Sequence, residues 1–342
     1  INMNNYKKIG LTALAASLVS VSAHAGALTA SGSASMNSEG HTGKGLNSGT
    51  TFSMANSVTF TGSGELDNGL TASVSFELDQ GTANNTSNGF DNHSVTVSSD
   101  ALGTLTFAGH GGSSSSSKID TTAAGDMWDN FDEKVTSLGV TVADGVVANG
   151  GGNNSFFYTS PDLMDGLNVT ASYNPQVGNG GAASETGYGF NYTGVEGLSF
   201  SYGTTDIETG TASTSGDNTV YSASYAYGPV TVSYSDMENA VAANANAVDR
   251  ESTSYAVSYT VSDELSLTYG SETHDQGSTS VDMEIEGFSA SYTSGGMTVS
   301  AKMQSMDDGN FATATNNDLD LSLIHISEPT RQAEMSYAVF CL

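Results

Sequence analysis

The residues best suited to chemistry are carboxylates in the longest irregular segment of the chain, residues 111–154. Asp126, Asp129 and Asp132 follow one another at a spacing of three residues, and Glu133 stands directly after them. On a short helix this spacing places the three aspartates on one face. Carboxylates grouped in this way select cations where they line a pore, whereas on an external loop they form only a solvated acidic surface. Both interpretations are open at this point.

The same segment carries large apolar residues and two cations. Met127, Trp128 and Phe131 lie between the carboxylates in the sequence and are expected to pack away from them. Trp128 is the only tryptophan of the chain. Lys118 and Lys134 lie on either side of the cluster. A structureless connection of this length is usually functional or disordered. The segment is therefore the first place to look for a site.

Other signals for chemistry are weak, and we expect neither an enzyme nor a bound cofactor or metal. The stretch Gly109–Lys118 is rich in Gly and Ser but lacks the Gly-Lys-Ser/Thr order of a phosphate loop. The acidic turns at 263–264 and 307–310 do not match a calcium loop and are better explained as solvated turns. The histidines of residues 26–320 are scattered in the sequence, and we expect them to be unpaired: His41, His93, His110 and His274.

The elements that must position the segment are strands. In the stretch YAVSYTVSDELSLTYGSE, residues 255–272, Tyr255, Val257 and Tyr259 alternate with Ala256 and Ser258. Alternation at period two indicates a strand with two different faces. One face is apolar and aromatic, and the other is small and mostly uncharged.

Fifteen such strands can be read from the sequence, with the beginning of a sixteenth. They are predicted near residues 27–36, 51–65, 70–79, 93–99, 104–110, 154–160, 167–174, 186–193, 197–205, 218–227, 229–237, 252–262, 264–272, 281–293 and 296–306, and a truncated last strand begins at 317–320. Tight Gly, Asp and Asn turns alternate with longer polar links. This is the pattern of an all-β, transmembrane antiparallel β-barrel of about sixteen strands. A soluble β-sandwich would require larger aliphatic residues for its core.

One strand breaks its own pattern. In VDMEIEG, residues 281–287, the apolar residues Val281, Met283 and Ile285 alternate with acids, and after Gly287 the apolar parity is reversed. A bulge at Gly287 explains the reversal, and so does a strand that continues beyond the membrane. The sequence leaves this choice open.

Both ends of the chain differ from its middle. Lys7 and Lys8 precede a short apolar run, and a small-residue site ends at Ala25 before Gly26. These features predict a secretory signal peptide that begins at Met3, so that residues 1–25 comprise two upstream residues and the signal peptide. Residues 321–342 show no sustained alternation and resemble a translated sequencing adapter, so we expect a non-native tail there. The β-barrel domain is then residues 26–320.

Composition narrows the function further. The formal net charge of the chain is −29, and its only cysteine, Cys341, lies in the suspect tail. Such a charge argues against nucleic acid as a partner. Without cysteine the domain has no disulfide framework, no thiol nucleophile and no thiolate metal site.

The order of the hairpins carries a resemblance. NSVTFTGSGELDNGLTASVSFELD, then HSVTVSSDALGTLTFAGH and one long connection, then SFFYTSP, resembles the sixteen-stranded general diffusion porins of Gram-negative bacteria, the alphaproteobacterial type most closely. The resemblance spans residues 26–320. It implies a passive channel for ions and small hydrophilic solutes, surrounded by outer-membrane lipid and lipopolysaccharide. It also implies a homotrimer with one pore per subunit and a C-terminal aromatic, which is missing here.

The resemblance also gives the acidic segment a role. The third external loop of such porins folds into the lumen and narrows the pore, which implies a constriction lined by the following side chains: Lys118, Asp126, Asp129, Asp132, Glu133 and Lys134. Arginines usually face this loop, but Arg250 is the only arginine of the predicted domain. We therefore expect a preference for cations. The alternative is a non-conducting surface adhesin or structural barrel with binding loops.

Overall fold

The computed structural model describes residues 28–43, 49–79, 90–119, 122–131, 152–175, 184–208, 215–241, 249–277, 279, 281–311, 313 and 318–335. The predicted cleavage site at Ala25 and Gly26 lies outside these residues, and so do Asp132, Glu133 and Lys134. Within the described ranges, no helix is long and apolar enough to span a bilayer.

The described chain forms sixteen β-strands that close into one barrel. They are β1 (Leu28–Gly43), β2 (Gly49–Glu65), β3 (Thr71–Asp79), β4 (His93–Ser99), β5 (Gly103–His110), β6 (Ser155–Thr159), β7 (Leu167–Asn174), β8 (Ser184–Tyr192), β9 (Leu198–Glu208), β10 (Gly216–Tyr227), β11 (Val230–Val241), β12 (Arg250–Thr260), β13 (Leu265–Gln276), β14 (Met283–Ser294), β15 (Met297–Asp307) and β16 (Leu319–Met335). Each strand pairs antiparallel with its sequence neighbours, and β16 also pairs with β1. Closure leaves no free sheet edge, and this is necessary in a bilayer because unpaired backbone groups there find no water to bond.

The connections differ at the two ends of the barrel. At one end, tight turns join the two strands of each hairpin, and their glycines adopt positive φ angles, as at Gly69 (79°), Gly197 (76°) and Gly228 (58°). Glycine suits these positions because it has no Cβ to clash. The longer connections, including the one between β5 and β6, lie at the other end.

The sheet has two chemically distinct faces, as the alternation predicts. Tyr255, Val257 and Tyr259 on β12 are 42–48% exposed, whereas Ser254 and Ala256, whose side chains lie on the opposite face, are at most 4% exposed. Neighbouring strands keep this parity, since Val257 pairs with Val232 and with Tyr269. We call the first the aromatic face and the second the small-residue face.

The reversal of the apolar alternation at Gly287 of β14 is not caused by a β-bulge. The pairing of β14 runs without a register shift against both β13 and β15, and Gly287 pairs with Gly270. Met283 and Ile285 therefore lie on the small-residue face with Gly287, and both are fully buried. Their apolar side chains mark a place where another part of the chain covers that face.

The predicted strands are confirmed, but several run further than predicted: β11 ends at Val241 rather than at residue 237, and β13 at Gln276 rather than at residue 272. β1 runs to Gly43 rather than to residue 36, and the sixteenth strand is not truncated, because residues 319–335 pair with β1. Strand pairing is made by backbone N–H and C=O groups, which every residue except proline supplies in full, so the atypical composition of this stretch does not prevent it. Its origin as an adapter stays a prediction.

Candidate functional site

The long connection begins and ends at a pair of glycines. Gly112 N–H donates to the Gly152 carbonyl oxygen at 2.8 Å, and Gly152 N–H donates back to Gly112 at 3.0 Å. We call residues 111–154 the β5–β6 connection. Its described parts are 111–119, 122–131 and 152–154. The two ends of the connection therefore meet beside the barrel wall.

The first described part is fixed by hydroxyl groups of the small-residue face. Ser115 N–H donates to Ser172 Oγ of β7 at 2.9 Å. Ser116 donates to Thr205 Oγ1 of β9, from its N–H at 3.2 Å and from its hydroxyl at 2.7 Å. Ser115 and Ser116 are fully buried. The backbone N–H groups of Ser115 and Ser116 are thus satisfied by hydroxyls of the barrel wall.

Two glycines of the wall allow this close approach. A Cβ on Gly203 of β9 would stand 2.3 Å from the carbonyl oxygen of Ser115. A Cβ on Gly270 of β13 would stand 2.9 Å from Ala124 Cβ. Both distances are shorter than a van der Waals contact, so a larger residue at either position would displace the connection.

The second described part continues along the same face. Ala123 N–H donates to Ser235 Oγ of β11 at 2.9 Å, and Ala124 N–H donates to Ser254 Oγ of β12 at 2.8 Å. The described connection therefore follows the barrel wall from β7 across to β12 and beyond.

A buried carboxylate follows on β13. Glu272 Oε2 accepts hydrogen bonds from Met127 N–H at 2.9 Å and from the Thr122 hydroxyl at 3.2 Å. Its other oxygen lies 2.5 Å from His274 Nε2, and both side chains are fully buried. The ring of Trp128 meets that of His274 edge-on, with centroids 6.5 Å apart. His274, expected to be unpaired, is thus paired with an acid.

The apolar residues of the connection are buried against the last strands of the barrel. Met127, Trp128 and Phe131 join one apolar cluster, and Phe131 is fully buried. The other buried members are Met283, Ile285, Met306, Phe311, Leu319, Leu321 and Leu323. This contact explains why β14 carries apolar residues on an otherwise polar face. The expected packing of the three residues away from the carboxylates is confirmed.

The described carboxylates of the connection lie just before and at the start of a helical segment, which covers residues 129–131 of the described range. Asp126 has a φ of 47°, and hydrogen bonds from Asp129 N–H to Asp126 and from Phe131 N–H to Trp128 close single turns. The helix therefore does not start at Asp126, because a positive φ is not helical, and a face shared with Asp132 stays a prediction. Asp129 is exposed and Asp126 is half-buried.

The two aspartates also differ electrostatically. Burial raises the pKa of the Asp126 carboxyl above its ordinary value, and the nearby carboxylate of Glu272 raises it further. Hydrogen bonds with Thr122 oppose this shift. Because burial disfavours the charged form of an acid, Asp126 takes up a proton more readily than an ordinary aspartate when the pH falls.

A cation that sequence reasoning did not place in the site contacts the described part of the connection. Lys302 Nζ of β15 donates to Asn130 Oδ1 at 3.4 Å, and Asp129 acts on it electrostatically. Lys118, which was predicted to be in the site, is exposed at a short 3₁₀ turn of the connection. The sequence does contain a signal for Lys302, because the strand alternation places it on the same face as Thr298 and the other small polar residues of β15.

Comparisons with known proteins agree on one family. A family model described as Gram-negative porin matches residues 10–284. Among solved structures, an anion-selective porin from Comamonas acidovorans is 15% identical with a TM-score of 0.65, and the match covers 88% of this chain and 99% of that one. A loop-deletion variant of OmpT, an outer membrane protein of Vibrio cholerae, is 15% identical with a TM-score of 0.63, covering 89% and 99%.

A third structure, a porin refined at 1.8 Å resolution, is 17% identical with a TM-score of 0.62, and the match covers 88% of this chain and 99% of that chain. Identities this low show the likeness of the fold alone. Among curated protein sequences, none matches this chain significantly.

Proposed function

The chain belongs to the Gram-negative porin family, and we propose that its pore runs through the barrel and is narrowed by the β5–β6 connection. The protein is a multi-pass β-barrel of the outer membrane. Family and fold together support a general diffusion channel for ions and small hydrophilic solutes. The proposal concerns what shapes this channel and which ions it prefers.

The observation that carries the proposal is the face on which the connection lies. A barrel in a bilayer turns its apolar side chains toward lipid, and its polar face surrounds the interior. Here the apolar side chains form the aromatic face, so the small-residue face is the inner one. Every wall group that holds the connection, from Ser172 to Glu272, belongs to the small-residue face. This supports a connection folded into the lumen, where it reduces the open cross-section.

The charges near the connection favour cations. Asp129 is exposed beside Lys302, and Asp126 adds a second carboxylate one turn earlier. The sequence adds Asp132 and Glu133 directly after them and has 37 acidic residues against 8 basic ones. A pore with more carboxylates than cations along its wall concentrates cations and repels anions. The described anion selectivity of the Comamonas acidovorans porin is the opposite behaviour on the same fold.

We expect the reversal potential of the channel in a salt gradient to lie on the cation side. The triple substitution Asp126→Asn, Asp129→Asn and Asp132→Asn should move it toward zero, because three negative charges leave the pore lining. Planar-bilayer recordings measure both values. Acidification should weaken the preference in the parent channel first through Asp126, whose pKa is raised. An anion-side potential in the parent protein would overturn the proposed preference, and an unchanged potential in the triple variant would place these residues outside the pore.

The proposal also includes a homotrimer with one pore in each subunit, embedded among outer-membrane lipid and lipopolysaccharide. Its support is the membership of the family and the exposed apolar side chains on the outer side of β2. Phe52 and Met54 are 74% and 69% exposed there. Such side chains require either lipid or another subunit as a neighbour.

A further inference from the structure

We propose that Glu272 is the positioning residue of the pore, the group that holds residues 122–131 of the β5–β6 connection in place. The effect on conductance rests on the proposed function, whereas the positioning itself does not. Glu272 lies on β13 with its side chain fully buried. Its two oxygens receive donors from both sides of the contact, the connection and the wall.

One carboxylate oxygen of Glu272 accepts two hydrogen bonds from the connection. Glu272 Oε2 accepts from Met127 N–H at 2.9 Å and from Thr122 Oγ1 at 3.2 Å. Thr122 Oγ1 in turn accepts from Asp126 N–H at 2.5 Å. Glu272 therefore holds the chain before and after Asp126, at Thr122 and at Met127.

Charge distinguishes Glu272 from the other described wall groups that accept hydrogen bonds from the connection. Ser172, Thr205, Ser235 and Ser254 are neutral hydroxyls that each accept from backbone N–H groups. Hydrogen bonds to an ionised acceptor are shorter and stronger than those to a neutral one. Loss of Glu272 should therefore loosen residues 122–131 more than loss of any one of these hydroxyls.

Burial couples the carboxylate to the connection. A carboxylate without partners is very costly to bury, so it stays buried only while donors face it. His274 Nε2 at 2.5 Å belongs to the wall, but the other two donors belong to the connection. If residues 122–131 moved away, Glu272 would lose these two donors and regain water. The docked connection and the buried carboxylate consequently depend on each other.

A single native reporter follows this contact. Trp128 is the only tryptophan of the chain, is 9% exposed, and meets the ring of His274 edge-on. Its fluorescence therefore reports whether residues 122–131 lie against β13. No label has to be introduced, and the barrel contributes no other tryptophan signal.

The test compares four variants of the full-length protein refolded in detergent. In Glu272→Ala and in Thr122→Val we expect Trp128 emission to move to longer wavelength and acrylamide quenching to increase. Glu272→Gln keeps the shape and a carbonyl acceptor, so it should restore most of the parent spectrum. Glu286→Ala is the matched control, because Glu286 lies one rung away on β14 with its side chain on the aromatic face.

The outcomes separate positioning from pore function. An unchanged Trp128 spectrum in both Glu272→Ala and Thr122→Val would overturn the inference, and so would an equal shift in Glu286→Ala. Thr122→Val keeps every strand of the barrel, so it decides the matter if Glu272→Ala fails to fold. Conductance is then recorded for the same samples. A shifted spectrum with unchanged conductance would sustain the role of Glu272 and contradict the constriction.

Discussion

Replacing Val257 with Arg is expected to destabilise the barrel by up to about 2–4 kcal/mol, the cost that a lipid-facing cationic side chain reaches at the midplane of a membrane barrel. Val257 lies between Tyr255 and Tyr259 on the aromatic face of β12 and pairs with Val232 and Tyr269. Arginine at this position must enter hydrocarbon or distort the bilayer around it. Urea titration of the refolded protein in lipid vesicles measures the free energy of unfolding.

The neighbouring residue provides the matched control. Ser258 is the next residue of β12, its side chain lies on the small-residue face, and its hydroxyl is 2.8 Å from Thr268 Oγ1. Ser258→Arg places the same charge on the other side of the sheet, where water is expected, and should change stability by no more than about 0.5 kcal/mol. If Ser258→Arg were the more damaging of the two, the small-residue face would be a dry interior and the protein would not be a channel.

Deleting residues 113–151 is expected to raise the single-channel conductance several-fold. The remaining ends, Gly112 and Gly152, already form a hydrogen-bonded pair at 2.8 and 3.0 Å, so a two-residue Asn-Gly turn can join them. The deletion removes the described parts of the β5–β6 connection that lie against the small-residue face, residues 113–119 and 122–131. Because the narrowest part of a pore limits its conductance, the widened channel should also pass larger sugars in liposome swelling.

A variant that keeps the full connection separates width from charge. Asp126→Asn with Asp129→Asn should alter the reversal potential while leaving the conductance nearer to that of the parent protein. The deletion variant exposes Met283 and Ile285 on the inner wall, so its strand content is checked by circular dichroism before recording. A correctly folded deletion variant with the parent conductance would show that the connection does not narrow the pore.

Much of the barrel is predictable from the sequence, because a membrane strand shows its two faces directly. The alternation in β12 and the tight turns at Gly197 and Gly228 are local signals, and the strands they predict are all present. The end of β1 is not predictable in this way. Its last residues, Asn37–Gly43, are polar on both faces, and their strand conformation depends on pairing with β2 and β16.

The candidate site is only partly predictable, because its contacts are distant in sequence. The carboxylates Asp126 and Asp129 were found from their spacing, but nothing local connects them with Lys302 or Glu272. Those partners lie more than 140 residues away and are brought together by closure of the barrel. The alternation of each strand does place Glu272 and Lys302 on the small-residue face. The same criterion applied to charged residues would have selected both as candidates.

The most direct test of a water-filled pore is the recording of single channels in a planar bilayer with the purified parent protein. We predict stepwise conductance increments that rise in proportion to the conductivity of the bathing salt. Heat-modifiable migration on electrophoresis must first show that the barrels are folded, and vesicle flotation that they insert into membranes. Folded, inserted barrels that give no increments, at any salt concentration, would contradict the channel and favour a non-conducting surface protein.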